Sequence, residues 1–156
     1  MKTTAVILAA GKGTRMKSQR PKVLHAVGEQ TLLEHVLSAV EPLLDGPAVT
    51  VIGHGGEEIQ ESLGNRVRYV WQRKQLGTGH AVMQAREDIL DADRVLVLCA
   101  DTPLLRTQTL QDLLDTHDRQ ANGVTVLTVD MQDPQGYGRI VKDAQGQLEQ
   151  IVEEKD

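Results

Sequence analysis

Short apolar, β-branched runs alternate with stretches of helical periodicity along most of this chain, and that alternation constrains its fold more than any other feature. Thr3 to Leu8 (TTAVIL) is too short for a buried helix and reads as a buried parallel strand. Residues 9–22 form a polar loop that ends at Pro21 and Lys22. Thr31 to Leu44 is periodic, with Leu33, Val36, Leu37, Val40 and Leu44 on one helical face, and Asp45-Gly46-Pro47 stops it. Ala48 to Gly53 is a second strand, Glu57 to Leu63 a short helix, and Val67 to Trp71 a third strand. A polar loop through Gly79 leads to a helix over His80 to Leu90, and Arg94 to Cys99 (RVLVLC) is a fourth buried strand. Thr107 to Gln120 is a helix with Leu110, Leu113 and Leu114 inward, and Val124 to Met131 a fifth strand. Arg139 to Lys142 and Leu148 to Val152 read as an antiparallel pair about Gly146. Such alternation predicts an open α/β sheet with right-handed crossovers.

The 156 residues suffice for one domain with a real core. With no Phe, one Trp and two Tyr, that core must be aliphatic, and single-stranded nucleic acid has few rings to stack on. Cys99 is the sole cysteine, which excludes an intrachain disulfide and a cysteine metal cluster. The apolar run near the start, Ala5 to Ala10, is too short for a signal core or a membrane span, so a cytoplasmic protein without membrane partners is expected. The net charge of −5 is uneven: Lys2, Lys12, Arg15, Lys17, Arg20 and Lys22 fall within residues 1–28, which hold no acid. A basic stretch on an acidic chain points to a local anionic ligand, or alternatively to a solvated charged face.

Three loops follow strands and carry chemistry. Leu8-Ala9-Ala10-Gly11-Lys12-Gly13-Thr14-Arg15-Met16 misses both the dinucleotide glycine motif and the P-loop, because Met16 stands where each needs glycine. Its small residues still let backbone N–H groups approach phosphate oxygens, with Arg15 and Lys22 adding charge. Read otherwise, it is a flexible surface loop. The second loop, Gln72 to His80, offers the amides of Gln72 and Gln75 to a base edge, and Gly77-Thr78-Gly79 opens a helix. Thr78 as a simple N-cap is the alternative there. The third places Asp101 past an apolar strand, where a carboxylate can hold Mg²⁺ on a triphosphate or close an Asx-turn. All three lie at carboxyl ends of strands, where open α/β sheets bind ligands. His25, His35, His54, His80 and His117 have neither metal spacing nor triad partners and read as structural.

Together, LAAGKGTRMKS, PKVLH, QLGTGHA, DTPLL, DPQGYGRI and IVEEKD resemble the bacterial bifunctional N-acetylglucosamine-1-phosphate uridylyltransferase/glucosamine-1-phosphate acetyltransferase family. The first motif is shared by many sugar nucleotidylyltransferases; QLGTGHA and DPQGYGRI together point to this family. The resemblance implies a Rossmann-like, mostly parallel sheet of nucleotide-diphospho-sugar transferase type, with helices on both faces. It implies transfer of uridylyl from UTP to N-acetylglucosamine 1-phosphate with Mg²⁺. Leu8, Ala9, Ala10, Gly11 and Gly13, with Gln72, Gly77 and Thr78, would bind the nucleotide. Arg15 and Lys22 would contact the phosphates, Asp101 would hold the metal, and Gly138 and Glu153 would face the sugar. Ala100 stands where the family usually has glycine, so its methyl is expected to crowd a ligand.

The family's domain runs beyond position 156 to a second metal ligand, an Asn, and to an Asn for the N-acetyl group. An acetyltransferase domain that makes the family trimeric follows. The chain is therefore expected to be the N-terminal portion of that domain, with little turnover of its own. A nucleotidylyltransferase for glucose 1-phosphate or another NTP, and a nucleotide-binding module without turnover, stand as alternatives.

Overall fold

The computed structural model describes residues 1–13 and 16–152. The chain forms two compact units, Met1–Asp112 and Leu113–Asp156.

The first unit is built on β1 (Thr3–Leu8). A 3₁₀ turn at Lys22–Leu24 follows, then a small hairpin of β2 (Ala26–Val27) and β3 (Gln30–Thr31) about Gly28. Next come α1 (Leu32–Val40), β4 (Val49–Ile52), α2 (Gly56–Leu63), β5 (Arg68–Trp71), α3 (Thr78–Gln84) and β6 (Arg94–Cys99). The main sheet has the order β5-β4-β1-β6, and its neighbouring strands are all parallel. Their carboxyl ends therefore share one edge, from which the segments that begin at Ala9, Gln72 and Ala100 emerge.

β1 is central and buried on both faces, as its continuous apolar run requires. Period-two alternation sends Val6, Val49 and Val51 to one face, where they pack with Ala81 and Ala85 from α3 and the turn after it. Ile52 faces the other way and lies against the start of α2 at Gly56. Helices thus cover both faces. α1 contributes Leu33, Val36, Leu37 and Val40, all fully buried. Its N-terminus is a capping box: Thr31 Oγ1 accepts from Glu34 N–H, and Glu34 returns a carboxylate to Thr31 N–H.

Four expectations change. The helix foreseen over Thr31 to Leu44 ends at Val40 and tightens into a 3₁₀ turn at Glu41–Leu43, because Pro42 has no N–H to continue the ladder. The helix foreseen over His80 to Leu90 starts at Thr78 and stops at Gln84; a 3₁₀ turn at Arg86–Asp88 follows, where Glu87 and Asp88 would oppose the helix dipole. β6 is covered on one face only. Leu96 and Leu98 are buried, while Val95, Val97 and Cys99 are exposed, as an outer strand paired only with β1 allows.

The fourth change lies in the second unit, which α4 (Thr107–Gln120) enters. Val124 to Met131 is irregular, because a strand exists only by pairing and this segment has no ladder partner among the described residues. The antiparallel pair forms as expected: β7 (Arg139–Lys142) pairs with β8 (Leu148–Val152), with Ile140 opposite Ile151. Its turn is closed by Asp143 Oδ1, which accepts from Gln145 and Gln147 N–H, and by Gly146 at φ +79°.

Candidate nucleotide site

A cavity of about 690 Å³ opens where β1, β5 and β6 end. Leu8, Ala9, Ala10, Gly11, Gly13, Lys22, Gln72, Gly77, Thr78 and Asp101 all line it. Three loops far apart in sequence therefore meet there, as their positions at strand ends predicted. Met16, Val23, Gln75, Ala81 and Cys99 complete the wall. Arg15 and Glu153 lie outside the described residues, and Gly138 belongs to the second unit, exposed ahead of β7.

The glycine loop is shaped by two backbone requirements. Ala9 N–H donates to Val51 O, which anchors the chain as it leaves β1. Gly13 holds φ +58°, and a Cβ there would lie 2.7 Å from Cβ of Lys22. Only glycine lets the lysine stem lie against the loop and carry its ammonium to the cavity. At Gly11 a Cβ would meet nothing within 4 Å, so no protein atom demands glycine there; the open side is the one a ligand would use.

Lys22 and Asp101 are brought together. Nζ lies 2.6 Å from Oδ2, with both side chains more than a third exposed. Such a pair contributes about 0–1 kcal/mol. Its weakness suits a site in which each partner is to be traded for another. The pair also limits what Asp101 can do as a metal ligand. No group of three His, Cys, Asp or Glu side chains gathers among the described residues. A hard cation here would have one carboxylate from these residues, in competition with Lys22. That donor set suits Mg²⁺, which keeps waters and shares itself with substrate phosphates, and does not suit a cation that needs an all-protein cage. Thr102 Oγ1 donates to Cys99 O in the turn that carries Asp101 past β6. Ala100 is buried and is not among the residues that line the cavity.

The loop after β5 departs from the simple capping alternative. Gly77 is the N-cap residue at φ +97°, Thr78 is the first residue of α3, and no side chain caps the helix. The left-handed backbone explains the glycine. Gln72 is buried, and its Nε2 donates to Gly77 O at 3.0 Å. Gln75 Nε2 donates to Ala10 O at 2.6 Å, which ties the loop after β5 to the glycine loop. Gln75 therefore acts on the frame of the site. His80, read from sequence as structural, contacts Gln72 through Nδ1 at 3.0 Å; nothing in the spacing announced that bond. The other histidines among these contacts hold the scaffold: His35 Nε2 meets Val27 O, and His117 Nδ1 meets Thr125 Oγ1. Partial desolvation, and then the charge of Asp101, push the Cys99 thiol pKa up against the weaker pull of Lys22, which disfavours the reactive thiolate.

An open parallel sheet with a glycine loop, a lysine and a carboxylate at its carboxyl edge defines an α/β domain of the nucleotidyltransferase class. A mannose-1-phosphate geranyltransferase from Thermus thermophilus superposes with TM-score 0.79 at 26% identity, over 98% of this chain and 50% of that one. A nucleotidyl transferase from Methanothermobacter thermautotroptrophicus superposes with TM-score 0.65 at 25% identity, over 73% of this chain and 57% of that one. The chain belongs to the family of MobA-like NTP transferase domains, which matches residues 5–155. It is also 53% identical to the bifunctional protein GlmU of Heliobacterium modesticaldum, across 99% of this chain and 34% of that protein. The chain spans about a third of the length of the curated relatives it matches. Among the described residues, no helix is long and apolar enough to cross a membrane.

Proposed function

We propose that this chain forms the nucleotide half of a uridylyltransferase site that joins UTP to N-acetylglucosamine 1-phosphate, giving UDP-N-acetylglucosamine and pyrophosphate. The observation that carries the reading is the convergence of the Gly11 loop, Lys22, Gln72 and Asp101 on one cavity. Similarity to the bifunctional protein GlmU supports the choice of substrates.

In this reaction an oxygen of the sugar phosphate attacks the α-phosphorus of UTP. The bond from that phosphorus to the β-phosphate bridging oxygen breaks, and pyrophosphate leaves. The attacking phosphate is already an anion near neutral pH, so the step needs no general base. The protein's work is positioning and charge neutralisation. Loop 9–13 receives the triphosphate along its open backbone side. Lys22 leaves Asp101 and turns its ammonium to the phosphates, while Asp101 becomes available to the cation. Mg²⁺ held by Asp101 and the triphosphate would neutralise charge on the phosphate oxygens. Arg15 adds a second cation on the phosphate side, and Gly138 and Glu153 face the sugar. On this reading the chain is the N-terminal portion of a longer cytoplasmic enzyme, whose trimer forms through another domain.

The test is calorimetric binding of UTP, CTP, TTP and ATP to the chain with Mg²⁺ present. UTP is expected to bind tightest. Equal affinity for all four would overturn the assignment.

A further inference from the structure

We propose that His80 is a positioning residue for base selection: it locks the carboxamide of Gln72 so that only an acceptor, Oε1, is left for the base. This deepens the uridylyltransferase reading and rests on it.

Gly77 O can only accept. Its 3.0 Å contact with the Gln72 carboxamide therefore fixes which end of the amide is the NH₂ group. The same Nε2 lies 3.0 Å from Nδ1 of His80. An NH₂ group already identified as donor requires Nδ1 to be the acceptor, so neutral His80 carries its proton on Nε2. Both protons of the Gln72 amide are then committed, one to Gly77 O and one to His80. The remaining polar atom, Oε1, accepts no bond from a described residue, on a side chain that is buried and lines the cavity. A carboxamide with its donors spent can only accept. It suits a pyrimidine whose N3 carries a proton, as in uracil, and opposes one whose N3 is a bare lone pair, as in cytosine.

The third member of the chain is Gln84, whose Nε2 lies 3.2 Å from both His80 Nε2 and His80 O. Two amide NH₂ groups cannot both donate to one neutral imidazole, because one ring nitrogen must bear the proton. Each amide also has a carbonyl to donate to, Gln72 at Gly77 O and Gln84 at His80 O, and Gln72 makes the shorter approach to the ring, 3.0 Å against 3.2 Å. Gln84 therefore spends its donor on His80 O and leaves the ring acceptor, Nδ1, to Gln72.

The test compares UTP and CTP binding by calorimetry in the parent chain, His80→Phe and His80→Asn. Phe keeps the ring and removes both nitrogens; the Asn side-chain oxygen can restore an acceptor near the position of Nδ1. The parent is expected to prefer UTP. In His80→Phe that preference should fall about tenfold, the worth of one hydrogen bond of about 1.4 kcal/mol. In His80→Asn most of it should return. A merely structural histidine would weaken both nucleotides equally, so an unchanged ratio in His80→Phe overturns the proposal. So does an equal loss in both variants. Should His80→Phe not fold, His80→Ala removes the same acceptor without demanding space, and the comparison stands. A parent with no preference for UTP over CTP would instead remove the uridylyl reading on which the proposal rests.

Discussion

The two units of this chain hold their strands in different ways. In Met1–Asp112, β1 is buried along nearly its whole length and sits between two parallel neighbours. In Leu113–Asp156, β7 and β8 have only each other, and most of their residues are exposed. Leu114 is the one described residue of the second unit whose apolar side chain is fully in the core. The first unit's strands are fixed by side chains on both faces; the second unit's hairpin is fixed by its ladder and turn. A ligand site built on the ends of the first kind inherits a rigid frame, because moving any one loop would mean moving a packed strand. The cavity residues anticipated from sequence all lie in that unit.

Truncating the two kinds of strand and helix should separate them most clearly. Leu37 is fully buried in α1, whereas Ile151 on β8 is about half exposed. Leu37→Ala should destabilise the chain by about 2–5 kcal/mol, while Ile151→Ala should stay within about 0.5 kcal/mol. Urea unfolding followed by circular dichroism reads both. Equal losses would mean that Ile151 belongs to a core of its own.

The next effect in size concerns the pair at the cavity. Lys22→Ala should weaken UTP binding by about 1.5–3 kcal/mol, the range for hydrogen bonds to charged groups. Asp101→Asn should move the other way when Mg²⁺ is absent, since it removes the counter-charge 2.6 Å from Lys22 Nζ. It should also abolish the gain in UTP affinity that Mg²⁺ brings to the parent. Calorimetry with and without Mg²⁺ gives both numbers. If Asp101→Asn keeps its Mg²⁺ dependence, the carboxylate belongs to the turn after β6 and not to the cation.

Gly13→Ala tests the frame without removing a charge. Its methyl would need the left-handed backbone at φ +58° and the space of the Lys22 stem 2.7 Å away. About 1–2 kcal/mol of strain is expected from the backbone alone, and UTP affinity should fall with it because Lys22 must shift. A variant that binds and unfolds like the parent would show that the lysine finds another route to the cavity.

Sequence made the first unit legible because its signals are local and redundant. A run such as Thr3 to Leu8 can satisfy both faces only as a central strand, and a glycine loop after it can only emerge at the carboxyl edge. What stayed hidden was set by pairing. Val124 to Met131 has a strand's composition, but composition cannot say whether a partner strand is there. Val95 and Val97 read as buried, yet an outer strand leaves a face open. The Gln72–His80 bond was also invisible, since it depends on how tightly the chain turns at Gly77. Pro42 was the exception: its missing N–H was present in the sequence, and the apolar periodicity through Leu44 outweighed it in the reading.

The smallest expected effect is electrostatic and belongs to the first unit. Glu34 is the returning arm of the capping box at the start of α1. Its pKa is lowered, first by the N–H of Thr31 and then by the hydroxyl of the same residue, against the opposing cost of burial. A carboxylate bonded to those donors is favoured in its charged form. Since the folded pKa lies below the unfolded value of about 4.3, the stabilisation is fully present above that value. It is lost as pH falls through the folded pKa, because the protonated acid no longer accepts both bonds. Thr31→Ala removes the box from the other side and should cost about 1 kcal/mol at neutral pH. The two changes should overlap. As pH falls through that lowered folded pKa the parent loses the carboxylate bonds, so the gap between parent and Thr31→Ala should narrow on acidification. Urea midpoints measured from pH 7 down to pH 3 would show this narrowing. A gap that stays constant over that range would mean that the bond from the Thr31 hydroxyl to the carboxylate contributes nothing, and that the whole effect of the Thr31 side chain comes from its hydroxyl accepting the N–H of Glu34.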